Sequence, residues 1–241
     1  MKDIKELKED SEHSDCYFRI VYRIVGRLRF LSHKELMRVM IRAFRRARLP
    51  LAYSRGYHPH PLISFGPPLS VGMAGTAELL DIRLIESRPP EQIAEAVARQ
   101  MPAGITVTEV LPLEAGAGAI HAQVRAAGYA FTWPAMSPAA GAAIPELLSR
   151  GDVIITRTTA KRTRTLDVRP GIYDMTEEPP DCRLQLALSP ALHVRPQEVI
   201  AAMTGWTDDQ IQRIVITRTG FTGTEPFPGS TPNRYGTTDY H

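Results

Sequence analysis

The sequence predicts an α+β protein made of two tandem ferredoxin-like units, each with the element order β-α-β-β-α-β and an antiparallel sheet. Three observations support this class. Alternating apolar stretches and helical apolar stripes follow one another in that order, and the order recurs about 100 residues later along the chain. The length of 241 residues, 43% of them hydrophobic, suits two units of roughly 100 residues each.

The first predicted unit spans residues 17–113. Residues 17–25 alternate in polarity and predict a strand. Ser32 is a good helix N-cap, and Glu35 three residues later completes a capping box, so a basic helix is predicted to end before Pro50. Short apolar stretches follow at 63–65 and 69–71. The unit then continues with a strand at 78–85, a helix at 90–101 and a strand at 105–111.

The second predicted unit spans residues 121–219, after a linker of small residues. We predict a strand at 126–132, a helix at 138–149 and a strand at 153–159 whose hairpin partner is 182–189. A helix at 196–203 and a strand at 213–219 complete it, and residues 166–169 extend the middle strands. Residues 1–16 are expected to be a disordered acidic leader, and residues 220–241, rich in Gly, Pro and Thr, a disordered tail.

The net charge of +3 hides two basic segments. Residues 19–55 carry eleven basic side chains and one acid, and residues 157–169 carry five basic side chains and one acid. Two basic blocks on an otherwise acidic chain indicate an anionic partner, most commonly nucleic acid, although a solvated arginine-rich helix face would look the same.

Several classes of protein are excluded by composition. The sequence contains no apolar run long enough to span a bilayer, and its polar start is unlike a secretory signal, so we expect no membrane contact and a cytoplasmic location. Cys16 and Cys182 are the only cysteines, which excludes a disulfide framework and a cysteine-rich metal site.

The loop at residues 54–61, SRGYHPHP, concentrates polar functional groups directly after the basic helix. Tyr57 can stack on a base, Arg55 can pair with a phosphate, and the histidines can donate to phosphate oxygens. His58 and His60, with His33 as a third ligand, would be a weak metal site. His60 or His33 would also serve as the acid–base group of a metal-independent ribonuclease. A rigid loop without function remains the simplest alternative.

Two further segments are candidate phosphate contacts. Ser32 and His33 open the basic helix, where free backbone N–H groups favour an anion, although ordinary capping explains them equally well. Lys161, Arg162 and Arg164 lie between strand-forming segments, and a basic hairpin tip can follow a phosphate backbone. A solvated hairpin is the alternative.

Residues 26–72 and 161–172 together resemble the bacterial radical-SAM-linked protein family, an uncharacterised domain found fused to, or encoded beside, a cobalamin-binding-type radical SAM protein. The resemblance covers about residues 17–218. This chain has Tyr57-His58-Pro59-His60-Pro61 where members usually have Phe-Asn-Pro-His-Pro, which weakens the metal hypothesis at His58. The matching residues are Arg29, Phe30, Ser32, His33, Tyr53, Gly56, Pro59, His60, Pro61, Ser64, Phe65, Gly72, Asp81, Lys161, Asp167, Arg169 and Pro170.

The resemblance implies a radical SAM partner that holds the iron–sulfur cluster, S-adenosylmethionine and cobalamin, with no cofactor and no metal in this chain. The leading hypothesis is a non-catalytic RNA-binding accessory protein that presents an RNA substrate for modification. The alternatives are an endoribonuclease resembling CRISPR repeat-processing enzymes, with His60 or His33 as the catalytic group, and a protein-interaction module docking on the partner. The predicted RNA-binding residues are Arg29, Arg38, Arg42, Arg45, Arg55, Tyr57, His60, Lys161, Arg164 and Arg169.

Overall fold

The computed structural model describes residues 16–132, 140–159, 162–178 and 181–223. Its architecture is α+β, as the sequence predicts, and strands from both halves of the chain form one large, mostly antiparallel sheet. The strands are β1 (Cys16–Ile24), β2 (Ile63–Phe65), β3 (Ala74–Leu84), β4 (Ile105–Leu113), β5 (Val124–Thr132), β6 (Ile154–Thr159), β7 (Arg162–Asp167), β8 (Ile172–Glu178), β9 (Asp181–Ala187) and β10 (Ile216–Gly223). The helices are α1 (His33–Arg46), α2 (Pro90–Ala98), α3 (Ile120–Gln123), α4 (Ala140–Ser149), α5 (Pro196–Thr204) and α6 (Asp208–Ile211). Two 3-10 turns lie at Gly26–Phe30 and Arg169–Gly171.

Helix α1 begins as the sequence predicts. The Glu35 backbone N–H donates to Ser32 Oγ at 3.4 Å, and the Ser32 backbone N–H donates to Glu35 Oε2 at 2.8 Å, so the capping box is confirmed. The predicted apolar stripe is also confirmed, because Leu36, Met40 and Phe44 are buried against the sheet. The arginines between them therefore face solvent.

The large sheet has the strand order β4-β1-β3-β10-β5-β9-β8, with β2 paired on β3. All neighbouring strands are antiparallel except β3 and β10, which pair in parallel over the short stretch in which Thr217 lies opposite Ala74 and Arg218 opposite Gly75. The second half of the chain therefore joins the first half at one strand edge.

Two hydrophobic clusters lie on opposite faces of the sheet. Leu79 and Leu80 are neighbours on β3 and point to opposite faces, as successive strand residues do. Leu80 belongs to the cluster that contains Leu36 of α1 and Ile93 of α2. Leu79 belongs to the cluster that contains residues of α4 and α5. The helices of the first and second halves thus cover different faces of the sheet.

A buried ion pair reinforces the joint between β3 and β10. Arg218 on β10 is 2% exposed, and its Nε donates to Glu78 Oε1 on β3 at 2.8 Å. A second guanidinium nitrogen of Arg218 donates to the Pro67 carbonyl oxygen at 2.7 Å, and the guanidinium also lies over the Phe221 ring. One side chain therefore ties together both halves and the loop that follows β2.

Several predictions for the second half are wrong in their pairing. β6 pairs with β7, not with residues 182–189, because these two strands are close in sequence and form a separate two-stranded sheet. β9 instead pairs with β5 and with β8, a strand that the sequence analysis missed. The alternation of apolar and polar residues in β8 is obscured by the charged side chains of Asp174 and Glu177.

Two segments that were predicted to be a linker and a disordered tail contain regular secondary structure. Helix α3 (Ile120–Gln123) begins within the predicted linker of small residues, and Ile120 is completely buried. β10 continues to Gly223, so residues 220–223 belong to a strand and not to a disordered tail. The predicted stretch at 69–71 is not a strand. The rest of the tail, residues 1–15 of the leader and the start of the predicted helix at 138 lie outside the described residues. None of the helices in the described ranges is long and apolar enough to cross a membrane.

Candidate functional site

An open cleft of about 1800 Å³ lies between the two halves of the chain. One wall is formed by the 3-10 turn at Gly26–Phe30 and by the loop at residues 67–73, which Arg218 holds in place. The other wall is formed by the β6–β7 hairpin and by α5 and α6. The cleft exists because β10 joins the second half edge to edge, so the hairpin faces that loop.

The cleft is rich in arginine. Five arginines line it, and the acids among the lining residues of the described ranges are Glu198 and Asp208. The pairing of β6 with β7 explains three of the five, because cross-strand partners share a face: Arg157 lies opposite Arg164, and Arg162 lies opposite Thr159. The remaining two come from the 3-10 turn and from the start of α5. The five are Arg29, Arg157, Arg162, Arg164 and Arg195.

Arg157 is committed to a structural role. Its Nε donates to Glu198 Oε1 at 2.7 Å, and its Nη2 donates to Glu198 Oε2 at 2.7 Å and to the His193 carbonyl oxygen. The same carboxylate accepts the Arg195 backbone N–H at the start of α5. Glu198 thereby neutralises the arginine that lies opposite Arg164, which removes a like-charge repulsion inside the hairpin.

Among the described residues of this hairpin, Arg162 and Arg164 are the free cations. Both are exposed, and within the described ranges neither guanidinium forms an ion pair or a side-chain hydrogen bond. Because they are two residues apart on one strand, they point to the same face. Two unneutralised guanidiniums on one face of a β-ribbon suit a ligand with phosphate groups, because each guanidinium can bind a phosphate through two hydrogen bonds.

The rim of the cleft is apolar. Phe30, Val71 and Ile154 are 57%, 60% and 56% exposed, and all three line the cleft. The Arg29 guanidinium lies over the Phe30 ring at 4.4 Å from its centroid, and Arg29 also donates to the Gly26 carbonyl oxygen at 3.2 Å. The wall of the first half therefore offers a cation and an aromatic ring side by side.

Two histidines near the cleft have shifted pKa values. Burial lowers the pKa of His193, and the positive charges of Arg157 and Arg195 lower it further. Burial lowers the pKa of His33, which packs edge-on against Phe65 with ring centroids 5.7 Å apart, and the charge of His121 adds to the effect. Both imidazoles therefore favour their neutral form near pH 7.

The loop at residues 54–61 is largely exposed, and none of its residues lines the cleft. The Ser54 hydroxyl lies 2.8 Å from His60 Nδ1, and the His60 backbone N–H donates to Ser54 Oγ at 3.1 Å. Tyr57 at the tip is 94% exposed and contacts the ring of His58 edge-on. The loop is thus braced at its base and open at its tip.

The structure divides the predicted site residues among several places. Arg29 and Arg164 lie in the cleft, whereas the other predicted residues with described positions do not line it. Arg38, Arg42 and Arg45 are exposed on α1, and Arg55, Tyr57 and His60 are exposed on the loop at residues 54–61. Lys161 lies outside the described residues.

Arg169 has a structural role that the sequence analysis did not foresee. Its guanidinium donates to the carbonyl oxygens of Leu148 at 2.8 Å and Ile172 at 3.2 Å. Its backbone N–H and that of Val153 donate to Asp167 Oδ1 at 2.9 Å each, which lowers the pKa of that carboxyl. These bonds tie the end of β7 to α4 and to β8, so Arg169 is occupied by the protein itself.

The two candidate catalytic histidines are not hydrogen-bonded to each other in the described part of the chain. His60 is bonded to Ser54, and His33 packs on Phe65. Among the described residues, three His, Cys, Asp or Glu side chains do not converge anywhere as they would around a metal ion. The structure therefore does not join His33 to His58 and His60 in one cluster.

Four cleft residues are absent from the predicted RNA-binding residues, and their signal in the sequence was weak or absent. Arg157 and Arg162 belong to the second basic segment of the sequence, so its excess charge pointed to them. Arg195 and His193 stand in a segment without excess charge, and only the three-dimensional structure brings them to the cleft.

Comparisons with known proteins place the chain among sequences without an assigned role. A family model described as an uncharacterized protein conserved in bacteria, DUF2344, matches residues 17–200. The crystal structure of an unknown protein from Galdieria sulphuraria is similar over 85% of this chain and 97% of that chain, with 13% identity and a TM-score of 0.29, which is too low to indicate a shared fold. No curated protein matches the sequence.

Proposed function

The chain belongs to DUF2344, a family of uncharacterised bacterial proteins, so a function has to be argued from its own residues. We propose that the protein is an RNA-binding accessory protein of a radical SAM enzyme. The observation that carries the proposal is the arginine-lined cleft. Arg162 and Arg164 on the hairpin and Arg29 on the opposite wall are cations that no carboxylate neutralises within the described residues. RNA would lie between these walls and be presented to the partner enzyme.

The size of the cleft favours a polymer over a metabolite. Its volume of about 1800 Å³ exceeds the roughly 300–1,000 Å³ of typical small-molecule pockets. The cleft is also open, and its free cations are spread over two walls. A single small anion would be held by a few convergent groups, whereas a chain of phosphates is matched by cations spaced along a groove.

The positions of the two predicted catalytic histidines disfavour cleavage by that pair, and the histidines that line the cleft are His121 and His193. A metal-independent ribonuclease needs an acid–base pair that reaches one phosphate. His60 and His33 each have another contact, at the loop base and against Phe65, and neither lines the arginine cleft. A role as an accessory subunit accounts for the phosphate-binding side chains without requiring those histidines to react.

The link to a radical SAM enzyme rests on the sequence motif at residues 26–72. Arg29, Phe30 and Gly72 of that motif line the cleft, so three of the residues that carry the resemblance would face the proposed RNA. The iron–sulfur cluster, S-adenosylmethionine and cobalamin belong to the partner in this proposal, because a chain with two cysteines cannot supply a three-cysteine cluster site. The exposed tip at Tyr57 is free for contact with the partner or with flanking RNA.

We further propose that each half is a ferredoxin-like unit. Strand order supports this: the first half has the order β4-β1-β3-β2 and the second half has β10-β5-β9-β8. Each half has the element order β-α-β-β-α-β once α3, α6 and the β6–β7 hairpin are set aside. The hairpin is then an insertion that carries the arginines.

Salt dependence of RNA binding tests the proposal. Each phosphate contact contributes about 0.7 to 0.9 to the slope of log affinity against log salt concentration. We expect Arg164→Gln to lower the slope by that amount, and the Arg162→Gln/Arg164→Gln double variant to lower it by twice as much. Arg99→Gln is the matched control, since Arg99 is exposed, pairs with Glu95 on α2 and lies outside the cleft.

Binding that is independent of salt, or equal losses in the control and the hairpin variants, would contradict the proposal. The same samples test the alternative activity. A discrete RNA product formed in the presence of EDTA and lost in His60→Ala would show an endoribonuclease instead of a binding protein.

A further inference from the structure

The strongest unexplained feature of the cleft is its exposed aromatic side chain. Phe30 is 57% exposed, although large apolar side chains are ordinarily buried. It is accompanied by two exposed aliphatic side chains, Val71 and Ile154, and all three line one cleft. A cluster of exposed apolar residues with polar surroundings is typical of a binding site.

The exposed position of Phe30 is fixed by its neighbours. Arg29 covers the ring from one side, with its guanidinium 4.4 Å from the ring centroid. Gly72 lies against the ring edge, where an added Cβ would stand 3.7 Å from a ring carbon, and its φ of +91° disfavours other residues. The Gly72 backbone N–H donates to the Arg29 carbonyl oxygen at 2.8 Å. The two wall segments are thus bonded together around a ring that remains open to the cleft.

The opposite wall supplies charges at the same cleft. Arg162 and Arg164 point from one face of the hairpin and line the cleft, which is also lined by the exposed side chain of Ile154 on β6. An apolar ring on one wall and free guanidiniums on the other match a nucleotide, whose base is flat and apolar on its faces and whose phosphate is anionic. An apolar peptide would leave the arginines unpaired, and a bare polyanion would leave Phe30 unused.

We propose that the cleft holds an unpaired segment of RNA, with one base stacked on Phe30 and the adjoining phosphates bound by Arg162 and Arg164. This inference rests on the proposed function and names its substrate class. In a duplex the faces of the bases are covered by their neighbours, so only a splayed base can reach an aromatic ring. The apolar rim of Val71 and Ile154 flanks the proposed stacking position.

Fluorescence anisotropy with two probes tests the inference. The first probe is a labelled 12-nucleotide oligoadenylate, and the second is the same strand annealed to its complement. We expect the wild-type protein to bind the unpaired strand more tightly. We expect Phe30→Ala to weaken that binding by roughly 5- to 150-fold, the loss associated with one base–aromatic stack, and to leave duplex binding nearly unchanged.

Three further variants distinguish base stacking on the ring from apolar contact alone. Phe30→Leu retains an apolar side chain next to Gly72 without a ring, and we expect it to lose affinity as Phe30→Ala does. Phe30→Trp retains a ring, and we expect it to bind as tightly as wild type with tryptophan emission quenched by the added strand. Tyr173→Ala is the control, because Tyr173 is an exposed aromatic residue outside the cleft, and we expect wild-type affinity.

The outcomes separate this inference from the proposed function. Salt-dependent binding that is equal for both probes and unchanged in Phe30→Leu would overturn the stacking inference while leaving RNA binding in place. Absence of binding to either probe would remove the proposed function, and the stacking inference with it. An unquenched Phe30→Trp variant that still binds the strand would also overturn the inference.

Discussion

The buried pair of Glu78 and Arg218 allows a quantitative prediction about how the two halves are joined. Arg218 is 2% exposed and is held by both carboxylate oxygens of Glu78 and by the carbonyl oxygen of Pro67. Glu78→Gln keeps the shape of the side chain but removes its negative charge. The guanidinium would then be buried without its carboxylate partner.

The expected loss follows from the cost of an unpaired buried charge. Breaking a buried ion pair by removing one partner costs about 3–5 kcal/mol of unfolding free energy. For a chain of this size, 1 kcal/mol corresponds to about 2–4 °C, so Tm should fall by roughly 6–20 °C. Replacing both partners by apolar side chains, as in Glu78→Leu/Arg218→Met, removes the unpaired charge and should cost less than Glu78→Gln alone.

Urea unfolding followed by circular dichroism measures these differences. Gly75→Ala provides an independent perturbation, because a Cβ at position 75 would stand 2.6 Å from Glu78 Oε1 and displace the carboxylate from Arg218. We expect it to destabilise the protein in the same direction. If the free energy of unfolding of Glu78→Gln lay within about 0.5 kcal/mol of the wild-type value, the buried ion pair would not stabilise the joint, since surface substitutions produce changes of that size.

Three further predictions concern the first half of the chain. Ser32→Ala removes the N-cap of α1 and should lower the free energy of unfolding by about 1 kcal/mol in urea titrations; an unchanged midpoint would contradict the capping role. Burial lowers the folded-state pKa of His33 below its unfolded value of about 6.5, so the folded state binds fewer protons and stability is lost as the pH falls below that value. His33→Gln should flatten the dependence of Tm on pH between 7 and 5, and an equally steep profile would count against this. Ser54→Ala removes both hydrogen bonds to His60, so hydrogen exchange of the His60 amide should accelerate, whereas wild-type protection would show that the loop is braced by other contacts.

Local features of the fold were predictable because their signals lie close together in sequence. The capping box of Ser32 and Glu35 and the apolar stripe through Met40 placed α1 at its observed start. Strand β1 followed from alternation, and β4, β5 and α5 were also predicted close to their observed bounds. The residues that specify each of these elements lie within the element itself or directly beside it.

Pairing between strands was less predictable, because register depends on contacts between distant segments. Residues 182–189 read as a partner for the strand at 154–159, but β7 competes for that strand at much lower loop-closure cost. The parallel contact of β3 with β10 had no sequence signal, since it involves only two residue pairs and depends on the buried Arg218.

The candidate site was predictable only in part. Excess charge identified the hairpin arginines, since Arg162 and Arg164 stand in a basic segment. It also drew attention to α1, whose exposed arginines lie outside the cleft, and to Arg169, which binds backbone carbonyls. A charge count along the sequence cannot tell which cations share a surface. Phe30 was identified only through the family resemblance and not by the charge or apolar pattern, because exposure of an apolar residue is a property of the fold.

Photo-crosslinking of the wild-type protein to an unpaired 4-thiouridine RNA tests the central claim most directly. Mass spectrometry of the crosslinked peptides locates the RNA without relying on any substitution. We expect crosslinks on both walls of the cleft. One set should lie in the 3-10 turn at Gly26–Phe30 or in the loop at residues 67–73, and the other in the β6–β7 hairpin. Crosslinks confined to the exposed face of α1 or to residues 54–61, with none in the cleft, would contradict the central claim.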